Sequence, residues 1–141
     1  MTEVTELVER MRASRKMIFD RVKDVTEDQM LAPARWGQRD VTARFMFYRL
    51  VAHEAEHTVH LIKTYQSLGI TLSETALILK QLQALRGELE GLILGLTDEE
   101  VDKTPDNGEW SVRHVIEHIL DTEDNYSGQI VEAVKSLSTS S

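Results

Sequence analysis

Apolar residues recur at three- and four-residue steps through nearly all of this 141-residue chain, and that spacing is the strongest constraint on its fold. An α-helix has about 3.6 residues per turn, so these steps place apolar side chains on one face, where they can pack against a core. No segment alternates apolar and polar residues with the period of two that a half-buried strand requires. The sequence therefore predicts an all-α fold, a four-helix bundle without strands.

Capping residues divide this pattern into segments. A Thr followed three residues later by Glu or Gln can pair with the backbone of a first helical turn, which predicts capping boxes at Thr26 and Thr71, and Thr97 begins another broken segment. Gly69 is predicted to end the second helix, and Ser111 to cap the fourth. We expect main helices at about residues 4–25, 41–68, 78–96 and 112–137.

The two halves of the chain resemble each other. Each contains a helix, a turn with one proline, a tryptophan and a second helix, with Pro33 and Trp36 in one half and Pro105 and Trp110 in the other. The bundle is therefore predicted to consist of two similar helical hairpins within one domain, residues 1–137, followed by a disordered tail, residues 138–141. Each tryptophan is expected to cover the end of the bundle and to carry no chemistry.

Charge and composition restrict the partners. The formal net charge is −8 and no Lys/Arg run interrupts the acidic balance, which disfavours nucleic acid and anionic membranes as partners. A small molecule or a protein is the expected partner. The chain has no cysteine, so any thiol chemistry needs a thiol brought by the substrate. The N-terminal residues lack an apolar signal core, and we expect a cytoplasmic protein.

Three glycines stand one turn apart on the third helix, Gly87, Gly91 and Gly95. Each lowers helix propensity by about 1 kcal/mol relative to alanine, so a compensating interaction is expected. Close packing of another helix or turn against this glycine face is the favoured interpretation. A subunit interface, as in a homodimer, is the alternative.

All five histidines fall into two short clusters. His53, His57 and His60 lie in the second predicted helix, and His114 and His118 lie in the fourth. Within each cluster the spacing is three or four residues, which places the imidazoles on one helix face, one turn apart. Two such faces turned toward each other would form a metal site.

Two metal-site motifs are considered first. His53, Glu54 and His57 match H-E-x-x-H, in which two histidines bind zinc and the glutamate acts as a base in metalloproteases. Those enzymes also need a distal third ligand and a sheet edge for the peptide, so a peptidase is disfavoured. A di-iron carboxylate site needs a second Glu-x-x-His, which the chain lacks.

A mononuclear site with imidazole ligands remains. His53 and His57 from the second helix and His118 from the fourth are the predicted ligands, with one or more positions open for water or substrate. Imidazole suits zinc, nickel, iron or copper. His60 continues the same helix face, either as a residue that contacts a ligand histidine or as an alternative ligand, and His114 precedes His118 by one turn in the same way. For both, a surface or hydrogen-bonded core histidine is the favoured interpretation.

The segments that hold these histidines resemble a known family. Residues 110–119, from Trp110-Ser111 to His118, are similar to the W-S-x-x-E-x-x-x-H segment of the DinB/YfiT-like superfamily. Residues 50–60 are similar to its H-x-x-x-H helix. The resemblance implies a four-helix bundle that binds metal through His53, His57 and His118. The order of the two segments is reversed here, as if the bundle were permuted.

Two positions depart from the family pattern. His114 stands where the family has a glutamate, and His60 stands where it has another polar residue, often Gln. The resemblance implies a metal-dependent hydrolase or thiol S-transferase acting on a small molecule, such as a low-molecular-weight thiol, with zinc or nickel as cofactor. Glu56, Asp121 and His114 are the candidate catalytic bases. The alternative is a non-catalytic helical bundle that associates with proteins or acts in stress, with incidental metal binding.

Overall fold

The computed structural model describes residues 2–139, and the predominantly helical fold predicted from the sequence is confirmed. The helices are α1 (Glu3–Val22), α2 (Ala43–Leu68), α3 (Glu74–Ile93), α4 (Asp98–Val101) and α5 (Val112–Thr139). A 3₁₀ turn (Asp28–Leu31) and two strands, β1 (Pro33–Trp36) and β2 (Arg39–Thr42), lie between α1 and α2. The arrangement of the helices as a four-helix bundle stays a prediction.

The described chain forms two compact units, which divide inside α3 between Glu88 and Leu89. The first unit contains α1, the 3₁₀ turn, the two strands, α2 and most of α3. The second unit contains the end of α3, α4 and α5. Of the predicted C-terminal tail, residues 138 and 139 belong to α5, and residues 140 and 141 lie outside the described part of the chain.

A two-stranded antiparallel hairpin precedes α2, and the prediction that the chain has no strand is wrong here. Pro33 pairs with Thr42 and Trp36 pairs with Arg39 across the hairpin. Gly37 takes a positive φ of 62° in the turn, a conformation that glycine adopts without steric cost. Four-residue strands that are mostly exposed on both faces are too short to produce an alternating pattern. Pro33 is tolerated because it is the first residue of its strand.

The hairpin leads directly into α2 and packs against its first turns. Thr42 ends β2 and also caps α2, since its hydroxyl accepts the Phe45 N–H at 3.3 Å. The Trp36 ring lies 5.4 Å from the Phe45 ring, centroid to centroid, and the Arg49 guanidinium lies over the Trp36 ring at 5.2 Å. These contacts fix where α2 begins.

Half-buried apolar side chains lie at the turn end of each unit. In the first unit they include Phe19 and Val22 at the end of α1 and Phe45 at the start of α2. In the second unit they include Val101 of α4 and Ile116 of α5. No residue in the range 2–139 is fully buried, and the long helices leave large apolar side chains exposed far from the turns.

Most of the predicted caps are confirmed. Gly69 ends α2 in the left-handed conformation with φ 66°, and the Ile70 N–H donates to the Tyr65 carbonyl at 2.9 Å. The Ser111 hydroxyl accepts the His114 N–H at 3.1 Å at the start of α5.

The turn after α1 and the turn after α3 each contain the same kind of local hydrogen bond, as expected from the internal repeat. The Thr26 N–H donates to Gln29 Oε1 at 3.1 Å, and the Thr97 N–H donates to Glu100 Oε2 at 2.9 Å. The backbone hydrogen bond from Thr97 holds the pKa of the Glu100 carboxyl below its usual value.

The capping box predicted at Thr71 is wrong. Ser73 caps α3 instead, since its hydroxyl accepts the Ala76 N–H at 3.1 Å and Glu74 is the first helical residue. Thr71 and Ser73 are both good cap residues, and the length of the turn after Gly69 decides between them.

Gly87 and Gly91 lie in α3 and Gly95 lies two residues after its end, and none of the three shows the predicted close packing within its own unit. A Cβ built on Gly87, Gly91 or Gly95 meets no described atom within 4 Å. Within each unit, alanine can therefore replace the glycine without a steric clash.

Gly69→Ala and Gly87→Ala are expected to have opposite effects on stability. The first forces an alanine into the left-handed region and should destabilise the fold by about 1 kcal/mol. The second should stabilise it by about 0.5–1 kcal/mol, because the helix gains propensity at an open position. Urea denaturation followed by circular dichroism measures both. Destabilisation by Gly87→Ala would show that something does pack on the glycine face.

A bidentate ion pair connects α4 to α5. Arg113 Nε lies 2.6 Å from Asp102 Oδ1, and its Nη2 lies 3.2 Å from Oδ2. The Arg113 hydrogen bond holds the pKa of the Asp102 carboxyl below its usual value. A carboxyl whose pKa is lowered by folding adds stability above its unfolded pKa, and that stability is lost as the pH falls through the folded pKa.

Asp102→Asn should therefore lower the melting temperature at neutral pH and have little effect at a pH below the folded pKa of Asp102. Lys16 and Asp20 form an exposed pair at 2.6 Å within α1, and Asp20→Asn removes a similar charge without touching the α4–α5 contact. Thermal melts of both variants across the acid range measure the effect. An Asp102→Asn difference that is independent of pH would contradict an electrostatic origin.

Candidate metal centre

The histidines of α2 form a continuous exposed row. The rings of His53 and His57 meet edge to face, with centroids 4.5 Å apart and an interplanar angle of 68°. The ring of His60 follows, 5.5 Å from that of His57. All three residues are exposed, so their ring nitrogens can be reached from solution. We call these three residues the α2 histidine row.

A hydrogen bond joins two members of the row. Nδ1 of His57 and Nδ1 of His60 are 3.2 Å apart, so one nitrogen donates a proton and the other accepts it. No such bond is recorded for His53, which contacts His57 through its ring. The three imidazoles therefore have different environments although they share one face of α2.

Glu54, the glutamate of the H-E-x-x-H motif, points toward α1. Its carboxylate forms an ion pair with Arg15 of α1. Glu54 follows His53 directly, and adjacent helical residues do not face each other. In this conformation the motif glutamate is paired with α1 and not with the histidine row.

Glu56 lies at the edge of the row, three residues after His53. Its carboxylate is 3.9 Å from the Arg49 guanidinium, which in turn covers Trp36. About two thirds of the Glu56 side chain is exposed, so this ion pair is weak and its carboxylate can reorient. The β-hairpin thus reaches the edge of the histidine row through Trp36 and Arg49, a connection that the sequence did not indicate.

The second unit holds its two histidines against a tryptophan. The His114 ring stacks on Trp110, with centroids 4.3 Å apart and an interplanar angle of 17°. The His118 ring meets the same indole edge to face at 5.0 Å. Trp110 therefore contacts both imidazoles, which the prediction that it covers the end of the bundle and carries no chemistry did not anticipate. Its spacing of four and eight residues before the two histidines was the available signal.

The remaining candidate base, Asp121, lies on α5 one turn after His118 and is exposed. Within neither unit does the described chain gather three or more His, Asp or Glu side chains in a geometry that holds a metal ion. His53 and His57 belong to the first unit and His118 belongs to the second. The three-histidine site stays a prediction.

The chain was compared with known proteins. Residues 81–137 match the family model of the DinB superfamily, a segment that contains Trp110, Ser111 and His118. This part of the chain is DinB-like. The match confirms the resemblance inferred from Trp110-Ser111 and His118, and it covers most of α3, all of α4 and nearly all of α5.

No curated protein and no solved structure matches the chain significantly. No helix within residues 2–139 has both the length and the apolar character needed to cross a membrane.

The contact between Trp110 and His114 can be tested by fluorescence. Trp36→Phe leaves Trp110 as the remaining tryptophan of the two. In that background His114→Ala removes the stacked ring, so Trp110 emission should shift to longer wavelength and acrylamide quenching should increase. Lys135→Ala, near the other end of α5, is the control and should leave both unchanged. Identical spectra for the two variants would contradict the stacking.

Proposed function

We propose that this DinB-like protein binds a divalent metal ion and uses it in hydrolysis or thiol transfer on a small molecule. The observation that carries the proposal is the pair of exposed imidazoles on α2, His53 and His57, with ring centroids 4.5 Å apart. Two imidazoles one helical turn apart on the same face can bind one ion together.

The residue types fit such an ion. His53 and His57 would supply two nitrogen ligands, and His118, held by Trp110 in the DinB-like segment, would supply the third. Nitrogen ligands without any sulfur suit zinc or nickel. A divalent ion held there lowers the pKa of a water molecule or of a substrate thiol, which then becomes a nucleophile near neutral pH.

Three side chains are candidates for moving the proton. Glu56 lies beside the α2 row and its contact with Arg49 is loose, so its carboxylate could accept a proton from the nucleophile. Asp121 and His114 flank His118 on α5, each one turn away. The stacking on Trp110 restrains His114, which makes Glu56 and Asp121 the more mobile acceptors.

A non-catalytic role in protein association is the second candidate. It is favoured by the exposed apolar side chains of the long helices, among them Val51 and Ile62 of α2 and Ile130 and Val134 of α5. Such faces pack against other helices, from the same chain or from a second copy in a homodimer. Metal bound to the histidines would then be incidental.

Metal content tests the site. Protein prepared without a histidine tag is expected to bind zinc or nickel, and His53→Ala, His57→Ala and His118→Ala should each lose most of it. His114→Ala is the matched control, because it removes an imidazole that is not a predicted ligand. Metal content is measured by mass spectrometry after dialysis. Unchanged content in His57→Ala would sink the proposal, and loss in His57→Ala but not in His118→Ala would confine the ligands to α2.

Paramagnetic quenching tests His118 directly. In the Trp36→Phe background, Cu²⁺ or Ni²⁺ bound to His118 should quench Trp110, whose ring centroid is 5.0 Å from that of His118. Zn²⁺ is the diamagnetic control. Equal emission with Cu²⁺ and Zn²⁺ at saturating metal would argue against His118 as a ligand.

Activity separates the two candidate functions. Conjugation of an electrophile by low-molecular-weight thiols and hydrolysis of simple esters and amides are measured with the metal-loaded protein. The chain has no cysteine, so it adds no thiol of its own to the assay. Activity that a chelator abolishes and that metal restores supports an enzyme. A metal-loaded protein inactive in all these assays favours the non-catalytic role.

A further inference from the structure

We propose that His60 is a positioning residue for His57: it accepts a hydrogen bond that leaves Nε2 of His57 free to bind the metal. The inference rests on the proposed metal site and assigns a role to a histidine outside the predicted ligand set. The observation that carries it is the 3.2 Å separation between Nδ1 of His57 and Nδ1 of His60.

The bond has two possible polarities, and each has a different chemical consequence. A neutral imidazole carries one proton, so its other nitrogen has a lone pair. When His57 Nδ1 donates, Nε2 of His57 holds the lone pair and can bind a metal ion. When His60 Nδ1 donates, His57 carries its proton on Nε2 and cannot bind through that nitrogen.

The same bond makes the two rings mutually exclusive as Nε2 ligands. The ring that accepts at Nδ1 must carry its proton on Nε2, so only the donating ring presents Nε2 as a ligand. Metal on His57 therefore keeps His60 as the acceptor and outside the ligand set. In this proposal His60 is therefore a neighbour of the metal ligands and not an alternative ligand.

We assign His57 as the donating ring because of its place in the row. His57 lies between the other two imidazoles, meeting His53 edge to face at 4.5 Å and His60 through the hydrogen bond. His57 is thus the member of the row that can share an ion with His53 one turn before it. His60 lies seven residues after His53, two turns away, too far along the helix to replace His57 in that pair.

A pair of variants separates the hydrogen bond from the ring. His60→Phe keeps an aromatic ring but has no acceptor, whereas His60→Gln keeps a carbonyl oxygen that can accept the His57 proton. Zinc affinity is measured by calorimetry on the full chain. Loss of an outer hydrogen-bond partner typically weakens metal binding by about 10–100-fold, and the row is exposed, so we expect about tenfold weaker binding for His60→Phe. His60→Gln should bind nearly as tightly as the wild type.

The proton position gives a second readout that needs no metal. In ¹⁵N-labelled protein, the ring nitrogen shifts of His57 report which nitrogen carries the proton. The wild type and His60→Gln should favour the Nδ1–H form of His57. His60→Phe should shift His57 toward the Nε2–H form. Circular dichroism confirms that all three proteins have the same helical content.

Each outcome has a clear meaning. Equal zinc affinity in the wild type and His60→Phe would overturn the positioning role while leaving the proposed metal site intact. An equal loss in His60→Gln and His60→Phe would overturn it in favour of His60 as a ligand. A wild-type protein that binds no zinc or nickel would remove the proposed function and this inference together. Loss in His60→Phe with recovery in His60→Gln, accompanied by the change in His57 protonation, supports the inference.

Discussion

The uninterrupted run of α2 from its Thr42 cap to the left-handed Gly69 is the constraint on which the candidate site depends. Helical geometry alone brings residues three and four apart onto one face, so His53, His57 and His60 become neighbours without help from another element. Everything proposed for the first unit follows from that row. The β-hairpin determines where the helix begins. Thr42 is the last residue of β2 and the N-cap of α2, and the contacts around Trp36 fix the position of the hairpin against the start of the helix.

The two histidine clusters are held in different ways. On α2 the imidazoles contact one another, through the ring contact of His53 with His57 and the hydrogen bond to His60. On α5 both imidazoles contact Trp110 instead. The first arrangement couples the proton positions of neighbouring rings, whereas the second restrains ring orientation by stacking.

Ion pairs orient several charged side chains near the two histidine clusters. Arg15 forms an ion pair with Glu54, so the motif glutamate is directed to α1 and not to the histidine row. Arg49 connects the hairpin to Glu56, and Arg113 ties α4 to α5 through Asp102. These pairs are exposed and individually weak, so their main effect is orientation. On α2, Glu54 pairs with α1, whereas Glu56 makes the looser contact, 3.9 Å from Arg49.

The sequence by itself determined the helices, most of their caps, the histidine rows and the DinB-like character of residues 81–137, because these depend on spacing along one chain segment. It could not reveal the hairpin, whose four-residue strands are too short for a period. It also could not choose Ser73 over Thr71 as a cap. Only the tertiary structure decided which groups meet across segments, such as Arg15 with Glu54 and Trp36 with Arg49. Such contacts depend on how the turns orient one helix relative to the next. That orientation is not determined by the spacing of residues within one segment of the sequence.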